Sequence, residues 1–230
     1  MNLSSLILLP LIVAISFGTS ASTELDIGYD SKYVSEGRNN LPTGGIVWIS
    51  VNQEVNDALS LSIAYGDAKS SKVDYEELNV TIEYNQQVGD LLYAFSYTRL
   101  EFLADNEGDN ELGLSGSWSG YEQFTPTFEL VYSTEAKGAF LELGIESEYA
   151  LNNFFVLSPY ARVAFDFGYA RDKFEGHNHS SLGAILTYQI NDTFSINTIA
   201  EYNLGGSLMK KILGEESDQA WAGLHLTASF

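Results

Sequence analysis

Apolar and polar residues alternate with a period of two along most of the chain. One of the clearest runs places Leu78, Val80, Ile82 and Tyr84 on one face of a segment, with polar residues between them. Such alternation is typical of a β-strand with one apolar face, and no long segment has a helical period instead. With an opening segment at about 23–36, a second at about 45–53 and a last one at 219–230, the pattern predicts twelve strands.

The segments between the predicted strands are of two kinds. Short ones, such as Asn152-Asn153 and Asn191-Asp192, contain residues that suit tight turns, while longer ones, such as 104–111 and 171–179, are polar. Short turns at one end, long loops at the other and an even strand number are typical of an outer-membrane barrel. We predict an all-β fold, a transmembrane antiparallel up-and-down β-barrel of about 12 strands, whose last strand pairs with its first. A soluble β-sandwich is the alternative fold, because its strands alternate equally well.

The two ends of the chain carry features that we expect of an exported barrel. Residues 1–21 contain no Asp, Glu, Lys or Arg, and their apolar run ends in Thr19-Ser20-Ala21, which resembles a signal cleavage site. We predict a signal peptide at 1–21 and an outer-membrane β-barrel at 22–230. An uncleaved anchor is the alternative, because the first residues lack Lys and Arg. We expect Phe230 to be the terminal aromatic residue by which barrel-assembly machinery recognises the chain.

Aromatic residues recur near the ends of the apolar faces. Trp and Tyr at these positions are typical of the girdles that lie at the headgroup level of a membrane. The predicted girdle residues are Tyr84, Tyr132, Tyr149, Tyr169, Tyr188, Tyr202, Trp118 and Phe230.

Composition narrows the function classes further. Acidic residues outnumber basic ones by 31 to 11, which gives a net charge of −20, and cysteine is absent. This balance argues against nucleic acid as a partner, because its phosphates require Lys and Arg. We predict a location in the outer membrane of a Gram-negative bacterium, with both termini periplasmic. The expected partners are outer-membrane lipid and lipopolysaccharide, and small solutes are the candidate cargo.

If the apolar faces look outward, the alternate residues line the lumen, and most of its charged members are carboxylates. One interpretation is a negative field that favours cations, and the other is a hydrated polar filling with no further role. A barrel of twelve strands is intermediate in width between small barrels, which side chains fill, and large ones, which enclose an aqueous channel. A narrow pore and a plugged barrel are therefore both consistent with this strand number. The predicted pore-lining residues are Glu83, Glu129, Glu142, Glu146, Arg162, Asp166 and Glu201.

Two cross-strand ion pairs follow from the expected turn positions. Closing a hairpin about Asn152 places Glu142 opposite Arg162, which predicts an ion pair inside the lumen. A second hairpin places Glu76 opposite Arg99 near the rim, where an ion pair contributes little.

No catalytic residue, metal site or cofactor is predicted. His225 faces the lumen too far from Thr227 for direct contact along one strand, and His177 and His179 belong to a predicted polar loop. The acidic loop at 104–111 lacks the ligand spacing of an EF-hand loop and reads as a solvated charged loop. We therefore do not predict an enzyme.

The stretch LDIGYDSKYVSEGRNN (25–40) resembles the opening of Gcw_chp, a porin-like proteobacterial outer-membrane family of unknown function. The residues that carry the resemblance are Ser31, Tyr33, Val34, Gly37 and Arg38. The resemblance supports the predicted barrel fold and the outer-membrane location, and it implies no catalytic residue. Arg38 lies in the first long loop and is our candidate for the pore entrance, and Gly37 fits a turn that requires unusual backbone angles.

These observations lead to one functional hypothesis and one alternative. The hypothesis is a narrow, cation-favouring passive pore for small solutes. The alternative is a non-conducting barrel whose extracellular loops bind lipid, divalent ions or a surface partner. The apolar segment at 207–214 could constrict the lumen, lie on lipid headgroups or pack on its neighbours in the barrel.

Overall fold

A computed structural model describes residues 22–171 and 175–230, and the predicted signal peptide at 1–21 lies outside the described residues. Fifteen strands and one short α-helix make up the described chain. In chain order the elements are β1 (Thr23–Asp30), β2 (Val34–Ser35), β3 (Arg38–Asn39), β4 (Gly45–Asn56), β5 (Leu59–Lys69), β6 (Glu76–Val88), β7 (Leu91–Phe102), β8 (Glu107–Trp118), β9 (Thr125–Ser133), β10 (Gly138–Glu146), β11 (Tyr149–Ala150), β12 (Phe155–Phe167), β13 (Glu175–Gln189), β14 (Phe194–Gly205), α1 (Ser207–Leu213) and β15 (Gln219–Ser229), with a 3-10 turn at Gly214–Ser217 between the last two.

Twelve of these strands form one closed antiparallel barrel, which confirms the predicted fold. Each barrel strand pairs with its neighbours in the chain, and β11 continues the edge of β10 along β12. The barrel closes where β1 pairs with β15, with Ile27 opposite Leu226. Closure leaves no strand edge without a partner, as a sheet surrounded by hydrocarbon requires.

The outer surface of the barrel is apolar because the apolar residues of each strand point away from the lumen. Leu182 and Leu224 are 67% and 58% exposed, and many other large apolar side chains of the strands are similarly open. A contiguous apolar surface of this extent is the surface that a bilayer covers. Of the eight predicted girdle residues, seven are exposed as expected: Tyr84, Tyr132, Tyr149, Tyr188, Tyr202, Trp118 and Phe230.

Asparagine side chains shape the tight turns at one end of the barrel. The Oδ1 atom of Asn152 accepts hydrogen bonds from the backbone N–H groups of Phe154 and Phe155, at 2.8 and 3.0 Å. Asn191 makes the same pair of bonds in the next short turn, at 2.9 Å each. These are Asx-type turns, and they explain why Asn and Asp recur where the strands reverse.

The long connections at the other end depart from the sequence-based picture in two places. The first strand was predicted to run to about residue 36, but β1 ends at Asp30 and the chain then forms the separate hairpin β2–β3. His177 and His179 were predicted to lie in a loop, but β13 begins at Glu175 and includes both. A bulge at this point sets Asn178 and His179 together against Ala164, which breaks the alternation that sequence reasoning depends on.

The long connection between β14 and β15 contains α1, which packs on β13. Leu208 and Met209 on this helix are buried, with 4% and 1% of their surface exposed. This packing corresponds to the third of the three positions considered for the apolar segment at 207–214. Among the described residues, no helix has the length and apolar character needed to cross a membrane.

Candidate functional site

Arg162 lies at the centre of a charged cluster on the inner face of the barrel. Its guanidinium nitrogens are 3.5 Å from Oε1 of Glu142 and 3.4 Å from Oε1 of Glu146. The guanidinium carbon also lies 4.3 Å from the centre of the Tyr160 ring, within range of a cation–π contact. Strand alternation explains the arrangement, because Tyr160 and Arg162 are two residues apart in β12 and therefore share the inward face.

The predicted ion pair of Glu142 with Arg162 is present, but the predicted strand register is not. Glu142 lies opposite Ala164, and Arg162 lies opposite Gly144, so the pair is diagonal. Both side chains are long enough to bridge the two-residue offset.

The second predicted pair, of Glu76 with Arg99, is wrong. Arg99 lies opposite Val80 in the pairing of β6 with β7, and its Nε donates to Glu101 two residues along its own strand, at 2.8 Å.

A polar cavity of about 410 Å³ opens beside Arg162, towards the tight-turn end of the barrel. Five of the seven predicted pore-lining residues line it together, whereas Asp166 and Glu201 do not. Four carboxylates and one guanidinium give this cavity a formal charge of −3 when all are ionised. Glu129 and Glu142 are direct cross-strand neighbours, so two like charges face each other on its wall. The five residues are Glu83, Glu129, Glu142, Glu146 and Arg162.

Glu201 is inward-facing but engaged in hydrogen bonds. It accepts from the hydroxyl of Tyr160 at 2.6 Å, from Nδ2 of Asn203 at 2.8 Å and from Nε1 of Trp221 at 3.1 Å. Three donors from three strands hold this carboxylate in place, which is a structural role.

Asp166 is completely buried, with 0% of its surface exposed, and this burial argues against a pore-lining role. It accepts from the backbone N–H groups of Tyr169 and Ala170, at 2.8 and 3.0 Å, and from Nδ2 of Asn178 at 3.3 Å. Asp166 therefore fixes the turn after β12 to the bulge of β13.

The hairpin β2–β3 lies inside the long-loop end of the barrel. Glu36 and Gly37 form its turn with φ angles of 45° and 72°. Two successive positive φ values match a type I′ turn, which favours glycine and suits a two-residue hairpin. A side chain at position 37 would overlap Oδ1 of Asn178, so the turn packs directly against the bulge of β13. The motif that resembles Gcw_chp thus includes this hairpin.

Arg38 extends from the hairpin to the opposite rim. One of its nitrogens donates to the backbone carbonyl of Ala170 at 3.0 Å, and another lies 3.6 Å from Glu36. Two cavities of about 500 and 600 Å³ share Arg38 as a lining residue. Neither cavity shares a lining residue with the polar cavity beside Arg162. Arg38 therefore lies where the predicted pore entrance would be, and its role there stays a prediction.

Glu77 is a central residue at the long-loop end of the barrel, and sequence reasoning did not identify it. It is 2% exposed and accepts from the hydroxyl groups of Tyr33, at 2.8 Å, and Tyr75, and from Nδ2 of Asn79 at 2.7 Å. Its inward direction was available from the sequence, because Glu77 and Glu83 are six residues apart in one strand. Its phenol partners could not be predicted from the sequence, since Tyr33 and Tyr75 both lie in connections outside the barrel strands.

Tyr169 was predicted to be a girdle residue, and this prediction is wrong. The chain leaves β12 at Phe167, and the Tyr169 hydroxyl donates to Glu111 on the inner face of β8. Its ring centre lies 5.9 Å from that of Phe140, another inward residue. The turn that Asp166 caps redirects the side chain from the outer surface to the interior.

Burial changes the acidity of the groups around the hairpin. Burial raises the pKa of Glu36 above its ordinary value, Arg38 lowers it, and Glu77 and Asp166 raise it again. Burial, with the carboxylate of Glu77, also raises the pKa of Tyr33. Burial and the neighbouring Glu36 and Glu111 raise that of Tyr169. The phenols therefore remain hydrogen-bond donors at neutral pH.

The two histidines near the bulge occupy different surroundings. Nε2 of His177 is 3.1 Å from both the carbonyl of His179 and Oγ of Ser180. His179 is buried, and its Nδ1 lies 2.9 Å from Oδ1 of Asn178. In residues 22–171 and 175–230, no group of three or more His, Cys, Asp or Glu side chains is arranged to hold a metal ion.

The closed barrel, its apolar exterior and its charged interior define the fold of a porin-like outer-membrane barrel. The KdgM porin is similar in structure, with a TM-score of 0.64, 10% sequence identity, and coverage of 90% of this chain and 99% of that one. A structure of KdgM porin in complex with disordered oligogalacturonate has a TM-score of 0.61 at 10% identity, over 91% of this chain and 99% of that chain. The NanC porin follows with a TM-score of 0.57 and 9% identity, over 90% of this chain and 98% of that one.

Similarity at this level of identity extends to the fold alone. No family model matches the chain, and no curated protein matches it. Membership of Gcw_chp therefore stays a prediction that rests on the motif at 31–38.

Proposed function

We propose that the protein is a narrow passive pore for small solutes in the outer membrane of a Gram-negative bacterium, with a preference for cations. The observation that carries this proposal is the polar cavity beside Arg162, inside a barrel whose outer surface is apolar. Its formal charge of −3 attracts cations and repels anions at close range. The structural similarity to the KdgM and NanC porins supports a passive pore in general terms.

The orientation in the membrane is part of the proposal. In outer-membrane barrels the tight turns face the periplasm and the long loops face outward. Both ends of the barrel, at Thr23 and Phe230, lie at the tight-turn end and exchange backbone hydrogen bonds of 3.1 and 2.9 Å. We therefore infer periplasmic termini, lipid and lipopolysaccharide around the apolar belt, and recognition of Phe230 by barrel-assembly machinery.

We do not propose the oligogalacturonate of the KdgM complex as a solute of this protein. Oligogalacturonate is a polyanion, and four carboxylates on the wall of one lumen cavity would repel it. Small cations or neutral polar solutes fit this lumen better.

Planar-bilayer conductance of the refolded protein tests the proposal. In a KCl gradient, we expect discrete conductance steps and a reversal potential of the sign that indicates K⁺ preference. The E142Q/E146Q double variant should shift the reversal potential towards zero, because it removes two of the four cavity carboxylates. E101Q is the matched control, since Glu101 pairs with Arg99 away from this cavity. A wild-type protein that folds, as shown by heat-modifiable gel mobility, but gives no steps would contradict the pore.

The second candidate is a non-conducting barrel that acts through its outer loops. The position of the β2–β3 hairpin inside the long-loop end favours it, because the hairpin occupies space that a permanently open pore would leave to water. This candidate predicts a silent bilayer and a phenotype that depends on the long loops and not on the lumen carboxylates.

A further inference from the structure

We propose that the β2–β3 hairpin is a displaceable gate, which closes the pore when it lies inside the barrel and opens it by swinging outward. The proposal rests on the proposed pore function and adds a conformational device to it. The hairpin contains Val34–Ser35 and Arg38–Asn39, with the turn at Glu36-Gly37 between them.

The hairpin is not part of the barrel sheet. Its two strands pair with each other in a separate two-stranded sheet, and Asn40 extends this pairing with a 2.8 Å bond to the carbonyl of Tyr33. A two-stranded ribbon of this length is at best marginally stable without support. Because β2 and β3 pair only with each other, the hairpin can leave the lumen without breaking a backbone hydrogen bond between barrel strands.

Few polar contacts hold the hairpin to the barrel wall. The hydroxyl of Tyr33 donates to Glu77 on one side, and Arg38 donates to the carbonyl of Ala170 on the other. Two buried polar atoms at this contact, Nε of Arg38 and Oδ1 of Asn79, have no hydrogen-bond partner within the described protein. A buried polar atom without a partner is unfavourable, so the closed position is less stable than its contacts suggest.

Open space beside Arg38 gives the hairpin room to move. The cavities of about 500 and 600 Å³ adjoin it, and several of their lining residues come from the barrel wall. The connection that follows the hairpin contains Gly44 with a φ of 78°, next to the start of β4 at Gly45. Two hydrogen bonds of 2.9 Å hold Ser31 to Ala222 of β15, so a displacement needs rotation in the connections at 32–33 and 40–44.

In the closed position, the turn of the hairpin contacts β13 at a defined place, which is called its seat below. Gly37 is buried, and a Cβ atom placed on it would lie 3.0 Å from Cγ of His179. In a disulfide the corresponding distance, from one Cβ to the sulfur of the partner, is about 3 Å. Because the chain contains no cysteine, a pair of cysteines at 37 and 179 can lock the hairpin in this position without competing thiols. Both cysteines, and the single-cysteine variants, are placed in an N178A background, because a Cβ atom at position 37 would otherwise overlap Oδ1 of Asn178.

The G37C/H179C variant provides the test, with single-channel conductance measured on the same sample before and after reduction. We expect loss of the conductance steps in the oxidised protein and their return on addition of dithiothreitol. Each single-cysteine variant should show no response to the reductant. Heat-modifiable gel mobility checks folding, because a cysteine at position 37 must adopt a positive φ.

A second variant separates failure of the gate from failure of the pore. In it, residues 33–40 are replaced by a Gly-Ser linker of equal length. Equal conductance of the oxidised and reduced G37C/H179C protein would overturn the gate and leave the pore standing. Conductance in the linker variant alone would show a fixed plug, which overturns both the gate and the pore proposed for the wild-type protein. A linker variant that folds but does not conduct would overturn the pore itself.

Discussion

His225 on the last strand lies between two aspartates of the first strand. Its Nδ1 is 2.8 Å from Oδ1 of Asp26, and its Nε2 is 3.2 Å from Oδ1 of Asp30. Thr227 adds a hydrogen bond of 2.9 Å to the other oxygen of Asp26. These contacts cross the seam where β1 and β15 close the barrel, so one imidazole joins the two ends of the sheet.

Replacing this imidazole should weaken the seam. In H225A, Asp26 and Asp30 lose the imidazole that ties both of them to the last strand, which we expect to cost about 2–3 kcal/mol of barrel stability. The midpoint of heat-modifiable gel mobility in wild type and variant measures the change. H177A is the matched control, because the hydrogen bonds of the His177 side chain stay within β13, away from the seam. Equal shifts in the two variants would contradict a role for His225 at the seam.

Gly28 should be coupled to His225, because the ring lies directly over it. A Cβ atom at position 28 would overlap the imidazole, so G28A must displace the ring from the two aspartates. We expect G28A to lower the melting midpoint in the wild-type background and to change it little in the H225A background. This double-mutant cycle isolates the coupling from other effects of the extra methyl group. Additive losses would show that the methyl group acts elsewhere.

Arg162 should limit the cation preference of the lumen. R162Q removes the only guanidinium among the described residues that line the cavity and changes the formal charge of the cavity from −3 to −4. We therefore expect the reversal potential in a KCl gradient to move further towards that of an ideal K⁺ pore. R99Q is the control, since Arg99 pairs with Glu101 and does not line this cavity. A shift towards anion preference in R162Q would exclude the proposed field.

Strand alternation explains how much of this fold could be predicted from sequence. Each strand has one apolar face, so the number of strands, the closure of β1 on β15 and the inward direction of Glu142 and Arg162 all follow from residue spacing. The exact register does not follow, because the hairpin is centred on Asn153 instead of Asn152, which moves every partner of β10 by two residues along β12. Glu142 therefore meets Arg162 diagonally rather than directly.

The position of the hairpin could not be predicted, because it depends on contacts between distant segments. Gly37 could be assigned to a turn, but its seat is a bulge in β13 that appears in the sequence only as a polar stretch around Asn178. Asp166 illustrates the same limit. Its inward direction was predictable, whereas its burial depends on a turn that brings the backbone N–H groups of Tyr169 and Ala170 onto its carboxylate.

Acid should favour the closed position of the hairpin, through Glu36. Its pKa is raised when the hairpin is seated, chiefly by burial, and should return to its ordinary value when the hairpin swings into water. A carboxyl whose pKa is higher in the seated form stabilises that form when protonated. This contribution is complete below the ordinary pKa and is lost as the pH rises through the raised one. The charged and titratable groups around Glu36 come from every element packed against its turn. They are Arg38 and Tyr33 from the hairpin segment, Tyr75 and Glu77 at β6, Glu111 on β8, Asp166 and Tyr169 at the end of β12, and His179 on β13.

Single-channel conductance as a function of pH measures this effect. We expect the open fraction of the wild-type protein to fall as the pH decreases through the raised pKa of Glu36. E36Q removes the charge that opposes seating, so its open fraction should stay low and vary less with pH. E101Q should behave as wild type, because Glu101 pairs with Arg99 away from the hairpin. A higher open fraction in E36Q than in wild type at neutral pH would mean that the contact between Glu36 and Arg38 holds the hairpin in place, and that the charge of Glu36 does not oppose closure.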